Sequence, residues 1–82
     1  MNKVKILFFA TLRERAGVRS VEIEIPTGTT AKSLKEILAA DYPNLSPSMQ
    51  SVLFSINQEY AFDDAVIPEN AEIALFPPVS GG

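Results

Sequence analysis

The sequence of 82 residues has neither cysteine nor histidine. Those two gaps together remove disulfides, thiolate nucleophiles, sulfur- or imidazole-built zinc sites and imidazole general bases. Any chemistry the chain carries must therefore use oxygen groups. Basic charge is also thin: seven Lys and Arg against ten Asp and Glu leave a net charge of −3. The bases are dispersed rather than striped, which excludes a field for a phosphate backbone, and nucleic acid is not expected as a partner. No long apolar run is present. Ile6 to Leu12 comes nearest, and behind Lys3 and Lys5 it has a partial likeness to a signal peptide, but it breaks into Arg13-Glu14-Arg15 and lacks a small-residue cleavage site. A cytoplasmic protein with no membrane span is expected. A phosphate loop and a Gly-x-Gly-x-x-Gly run are missing too. Asp63-Asp64 has no third ligand nearby, so it reads as a solvated turn rather than a metal site.

What is present is one small domain. Apolar residues at 46% and charged residues at 21% suit a globular chain with no repeat or low-complexity stretch, and a chain of this size buries about 60–65% of its unfolded surface. Residues 3–9 alternate, Val4, Ile6 and Phe8 on one side and Leu7 and Phe9 on the other, as a first strand. Residues 11–17 hold helix formers stopped by Gly17, with Arg13, Glu14 and Arg15 solvated. Residues 19–25 alternate again, forming a hairpin with the first strand. Thr29 or Thr30 caps a main helix whose stripe of Ala31, Leu34, Ile37, Leu38, Asp41 and Tyr42 ends at Pro43. A turn-rich 44–50 segment follows, then a strand over 51–56, a turn at 57–59, a short edge strand within 60–64, and a final strand at 72–76. This order implies an α+β arrangement, a mixed sheet of about five strands wrapped round one main helix, with the last strand parallel to the first.

The ending Phe76-Pro77-Pro78-Val79-Ser80-Gly81-Gly82 is the most specific stretch. Pro77 and Pro78 fix successive φ angles and give a stiff, extended exit. Beyond them Val79 to Gly82 reach roughly 13 Å at about 3.3 Å per residue, and Gly81 and Gly82 carry no Cβ to obstruct a narrow gap. We read residues 1–76 as the domain and 77–82 as an extended tail built to enter another protein. The plainer alternative is a frayed end, where Gly and Ser collect. Behind the tail, alternation places Leu7, Phe9, Ala74 and Phe76 together on the sheet face away from the helix. A monomer gains nothing by exposing two phenylalanines there, which marks a partner patch unless a loop covers it.

Val4-Lys5-Ile6-Leu7-Phe8-Phe9-Ala10 with Arg13-Glu14, then Ile56-Asn57-Gln58, then Glu72 to Gly82 together resemble the ubiquitin-like β-grasp proteins. Within them they resemble the small subunits of molybdopterin synthase, the sulfur carriers of molybdenum cofactor assembly. The 44–50 segment, with Pro43 before it and Pro47 inside it, matches no motif of that family. The resemblance implies that Gly82 is adenylated, converted to a thiocarboxylate and used to give sulfur to cyclic pyranopterin monophosphate, forming the molybdopterin dithiolene. Gly81 then lets the terminus thread. The partner-binding set is Leu7, Phe9, Ala74 and Phe76 with Pro77, Pro78, Val79 and Ser80 of the tail. The implied partners are the large synthase subunit, a ubiquitin-activating-like adenylyltransferase and a persulfide sulfur donor. The chain itself binds no cofactor and is not catalytic alone, ATP being used by the activating partner. With only the thioethers of Met1 and Met49 as sulfur, nothing but the C-terminus can bear a transferable sulfur atom. Three other readings share these features: a protein modifier conjugated through Gly82, a sulfur carrier for thiamine thiazole synthesis, and a plain binding module.

Overall fold

The computed structural model describes residues 1–78. Strand β1 (Asn2–Phe8) is followed by helix α1 (Thr11–Ala16), strand β2 (Ser20–Ile25), helix α2 (Ala31–Asp41), a 3-10 helix (Pro43–Ser48), and strands β3 (Leu53–Ile56), β4 (Glu59–Tyr60) and β5 (Glu72–Phe76). The five strands form one sheet in the order β2-β1-β5-β3-β4. Only β1 and β5 run parallel, at the centre, and every other pair is antiparallel.

Alternation decides which face is buried. Val4, Ile6 and Phe8 of β1 and Ile73 and Leu75 of β5 point to the same side and are essentially inaccessible. Ala31, Leu34 and Leu38 of α2, also fully buried, join them in one core with Phe54 and Ile56. Fully burying each large aliphatic chain contributes about 1.5–3 kcal/mol, so α2 is held chiefly by this stripe. Its start is fixed by Thr30, whose Oγ1 accepts the Ser33 N–H at 3.3 Å. The first free N–H groups of the helix go to the 61–68 loop: Ala31 N–H donates to Ala65 O at 2.9 Å and Lys32 N–H to Asp63 O at 3.0 Å. Its end comes at Tyr42 and Pro43, where the Tyr42 ring meets Phe8 edge-on at 5.7 Å. Gly17 stops α1 as expected, at φ 81 with its N–H on Arg13 O at 2.9 Å.

A buried polar residue ties the start of β1 to the loop before β5. Asn2 is 1% exposed, and its Nδ2 donates to Pro68 O at 2.8 Å and to Ile67 O at 3.4 Å, while its Oδ1 accepts the Asn70 N–H at 2.8 Å. Every group of that amide is therefore used, as burial of a polar side chain requires.

Four local expectations are corrected by the structure. The 44–50 segment is not an irregular loop: Pro43 opens the 3-10 helix, and Leu45 and Met49, four residues apart, are buried under it. The edge strand is Glu59–Tyr60 rather than part of 60–64, because the preceding turn needs only Asn57 and Gln58, both left-handed. Asp41 sits on the exposed side of α2 rather than in its stripe. Arg13 is half-buried rather than solvated, with its Nε donating to Phe8 O at 3.5 Å, whereas Glu14 and Arg15 are exposed.

Candidate functional site

The register across the sheet fixes what lies on its open face. Leu7 pairs with Ala74, Ala74 with Ser55, and Ser55 with Tyr60, so these four form one row, since paired residues share a face. One step further along, Phe76 pairs with Leu53, and Phe9 continues β1 with its N–H on Leu75 O at 3.2 Å. The Phe9 and Phe76 rings stack at 4.7 Å, and Tyr60 meets Phe76 edge-on at 6.5 Å. In the opposite direction the same face turns charged: Lys5 stands between Glu22 and Glu72, and Lys3 beside Glu24. The open face is thus polar at one end and aromatic at the end where β5 leaves the sheet.

The aromatic end is hollowed into a groove of about 310 Å³. Leu7, Phe9, Ala74 and Phe76 make its apolar floor with the buried Ser55 beside Ala74, and the exposed Gln58, Tyr60 and Glu72 its rim. All four floor residues are half-buried, so no loop seals them off. A wider depression of about 800 Å³ lies on the far side of Tyr60, crossed by the Lys35–Asp63 ion pair at 2.8 Å. There Lys35 donates a hydrogen bond to the Asp63 carboxylate and, with its charge, holds that acid below its ordinary pKa of 3.8. These charges already satisfy one another, and Phe76, the last residue of β5, lines the groove but not the depression. Among the described residues no group of three or more acidic side chains is placed to hold a metal ion. No helix among them is long and apolar enough to cross a membrane.

Of the residues singled out from the sequence, Leu7, Phe9, Ala74 and Phe76 come together as one surface, and Pro77, half-buried, and Pro78, exposed, continue directly from it. Val79, Ser80, Gly81 and Gly82 lie outside the described residues. The rim residues Tyr60 and Gln58, and Ser55 between Ala74 and Tyr60, were not anticipated. Their place depends on a turn whose length the sequence leaves ambiguous, and only the Ser55–Tyr60 register brings the tyrosine over Phe76.

A mixed five-stranded sheet with its parallel pair at the centre, wrapped on one main helix, is the ubiquitin-like β-grasp. SAMP1 of Haloferax volcanii, a small archaeal modifier protein, has this fold with a TM-score of 0.85 and 29% identity, over 99% of this chain and 100% of its own. At the sequence level the ThiS family model matches residues 6–82. The molybdopterin synthase sulfur carrier subunit of Dictyostelium discoideum is 40% identical over 84 aligned positions, covering 99% of this chain and 98% of its own. That of Arabidopsis thaliana is 34% identical over 80, covering 98% and 83%. The chain belongs to the ThiS family.

Proposed function

We propose that this chain is the sulfur-carrier subunit of a molybdopterin synthase, with Gly82 as the carrying residue. The observation that carries the reading is the continuity of the aromatic groove with the Phe76-Pro77-Pro78 exit in a chain whose relatives bear that name. A free carboxylate is a poor electrophile. An activating partner uses ATP to join the Gly82 carboxylate to AMP with loss of pyrophosphate; the terminal sulfur of a persulfide donor then displaces AMP to give an acyl disulfide, and a second thiol of the donor system cleaves the S–S bond, leaving the thiocarboxylate on Gly82 and a disulfide on the donor. The chain's own residues supply none of this chemistry. Their work is delivery: residues 1–76 dock as a body, the groove seats on the larger synthase subunit, and Val79 to Gly82 let the terminal carbonyl reach up to about 13 Å beyond the post, at about 3.3 Å per residue, where sulfur passes to the cyclic pyranopterin. Gly81 keeps the approach free of a Cβ. The setting is cytoplasmic, where ATP and the activating partner are at hand.

A second reading, a modifier joined to lysines through the same carboxylate, is favoured by the likeness to the modifier SAMP1. Incubation with ATP, the activating enzyme, a persulfide donor and a thiol reductant separates the two when the intact mass is read. Replacement of one oxygen by sulfur, followed by dithiolene formation once the larger subunit and pterin are added, supports the carrier. A ladder of conjugates without that exchange supports the modifier and overturns the carrier.

A further inference from the structure

The turn between β3 and β4 places two successive non-glycine residues in the left-handed region, Asn57 at φ 50 and Gln58 at φ 73. Hairpins of this kind favour Asn followed by Gly, because the second position suits a residue without a Cβ. Asn57 has its reason inside the domain. Asparagine tolerates the left-handed region, and its Oδ1 accepts the Glu72 N–H at 2.9 Å, pinning the turn to β5. Gln58 has no such return. It is exposed, and among the described residues its carboxamide enters none of the side-chain hydrogen bonds. Glycine there would relax the backbone and, among the described residues, remove no side-chain hydrogen bond. Strain kept without compensation in the fold points outward, to whatever the residue meets in the working state.

What Gln58 does have is a position. It stands with Tyr60 and Glu72 on the exposed rim of the aromatic groove, whose floor includes Ala74 and Phe76. We infer that Gln58 is a specificity-determining contact of the docked complex: its carboxamide receives the edge of a main-chain peptide group in the larger-subunit segment that covers the groove. A primary amide offers an acceptor oxygen beside a donor nitrogen, the complement of a peptide group's own N–H and C=O. The apolar floor supplies burial without direction, so a rim group of this type fixes the register of the covering segment and tells one partner from another. The inference rests on the groove reading given above and names the polar contact that completes it.

Three variants, Gln58→Gly, Gln58→Met and Phe76→Asp, separate the two ideas when each is titrated calorimetrically with the larger subunit and unfolded in urea. Gln58→Gly is expected to raise the urea midpoint, since the turn relaxes, and at the same time to weaken binding about tenfold, the scale of one or two lost hydrogen bonds. Gln58→Met keeps the length and the backbone cost but has no amide, so it is expected to leave the midpoint unchanged and weaken binding to a similar degree. A stabilised Gln58→Gly that binds as tightly as the parent overturns the contact. If in that case Phe76→Asp still loses affinity, the groove remains the seat and only the role of Gln58 falls. Parent-like affinity in Phe76→Asp overturns the groove reading itself.

Discussion

Phe9 and Phe76 stack across the ends of the two parallel strands, their ring centroids 4.7 Å apart and their planes 12° from parallel. Neither ring reaches the core, so the pair organises the open face rather than the fold. A stacked aromatic pair is worth about 0.5–1.5 kcal/mol beyond its buried area, enough to hold both rings in place before a partner arrives. Less side-chain freedom would then be lost if a partner docked there.

Phe76→Asp should therefore damage association far more than folding. A carboxylate in the groove floor must be desolvated without a partner, and truncation of a central aromatic anchor typically costs about 2 kcal/mol or more, roughly thirtyfold in affinity. Calorimetry against the larger subunit should show that loss, while circular dichroism of the isolated domain stays that of the parent.

Asn2→Ala is expected to lower stability by about 2 kcal/mol, because it strands the Asn70 N–H and the Pro68 carbonyl that Asn2 now satisfies at 2.8 Å each. Urea unfolding measures it. A loss of only a few tenths would mean that water replaces the amide.

Ala10 lies between β1 and α1 at φ 52 and ψ −129, a conformation that suits glycine. Ala10→Gly should stabilise the domain by about 1 kcal/mol, raising the melting temperature by about 5 °C for a domain of this size. A drop in calorimetric melting temperature would contradict it.

The Lys35–Asp63 pair should leave a mark on the acid limb of the stability curve. Asp63 is held below its ordinary pKa of 3.8 first by the Lys35 hydrogen bond and then by its charge. The sign follows from that direction: the folded state binds the proton less readily than the unfolded one, so the contribution is complete above 3.8 and fades as pH falls through the lowered value. Asp63→Asn should be less stable than the parent at neutral pH, with the gap closing below about pH 4 in urea titrations. Because the carboxylate is exposed, high salt should narrow the gap as well.

Much of this arrangement could be read from the residues. The alternation of Val4, Ile6 and Phe8 against Leu7 and Phe9, repeated by Ile73 and Leu75 against Ala74 and Phe76, separates core from open face because strand side chains have a period of two. The parallel neighbour of β1 followed from the order of elements. The 3-10 helix was hidden because Asn44, Ser46, Pro47 and Ser48 carry turn chemistry that outweighs two apolar residues, although the spacing of Leu45 and Met49 signals a single buried turn. The rim was hidden for a different reason. A hairpin closed by Asn57-Gln58 lacks the glycine that marks a two-residue turn, so the position of β4, and with it Tyr60, shifted by a residue or more.

The parallel pairing of β1 and β5 also decides how the domain bears force. A pocket that gripped the chain beyond Phe76 would pull along the axis of β5, and the resistance would come from both of its ladders, the one joining Lys5 to Glu72 and Phe8 to Leu75 and the one joining Leu53 to Phe76 and Ile56 to Ile73. Those bonds lie across the direction of pull and share the load in shear, instead of opening one after another like a zip. A pull of that kind would load the whole sheet before any one strand pair gave way.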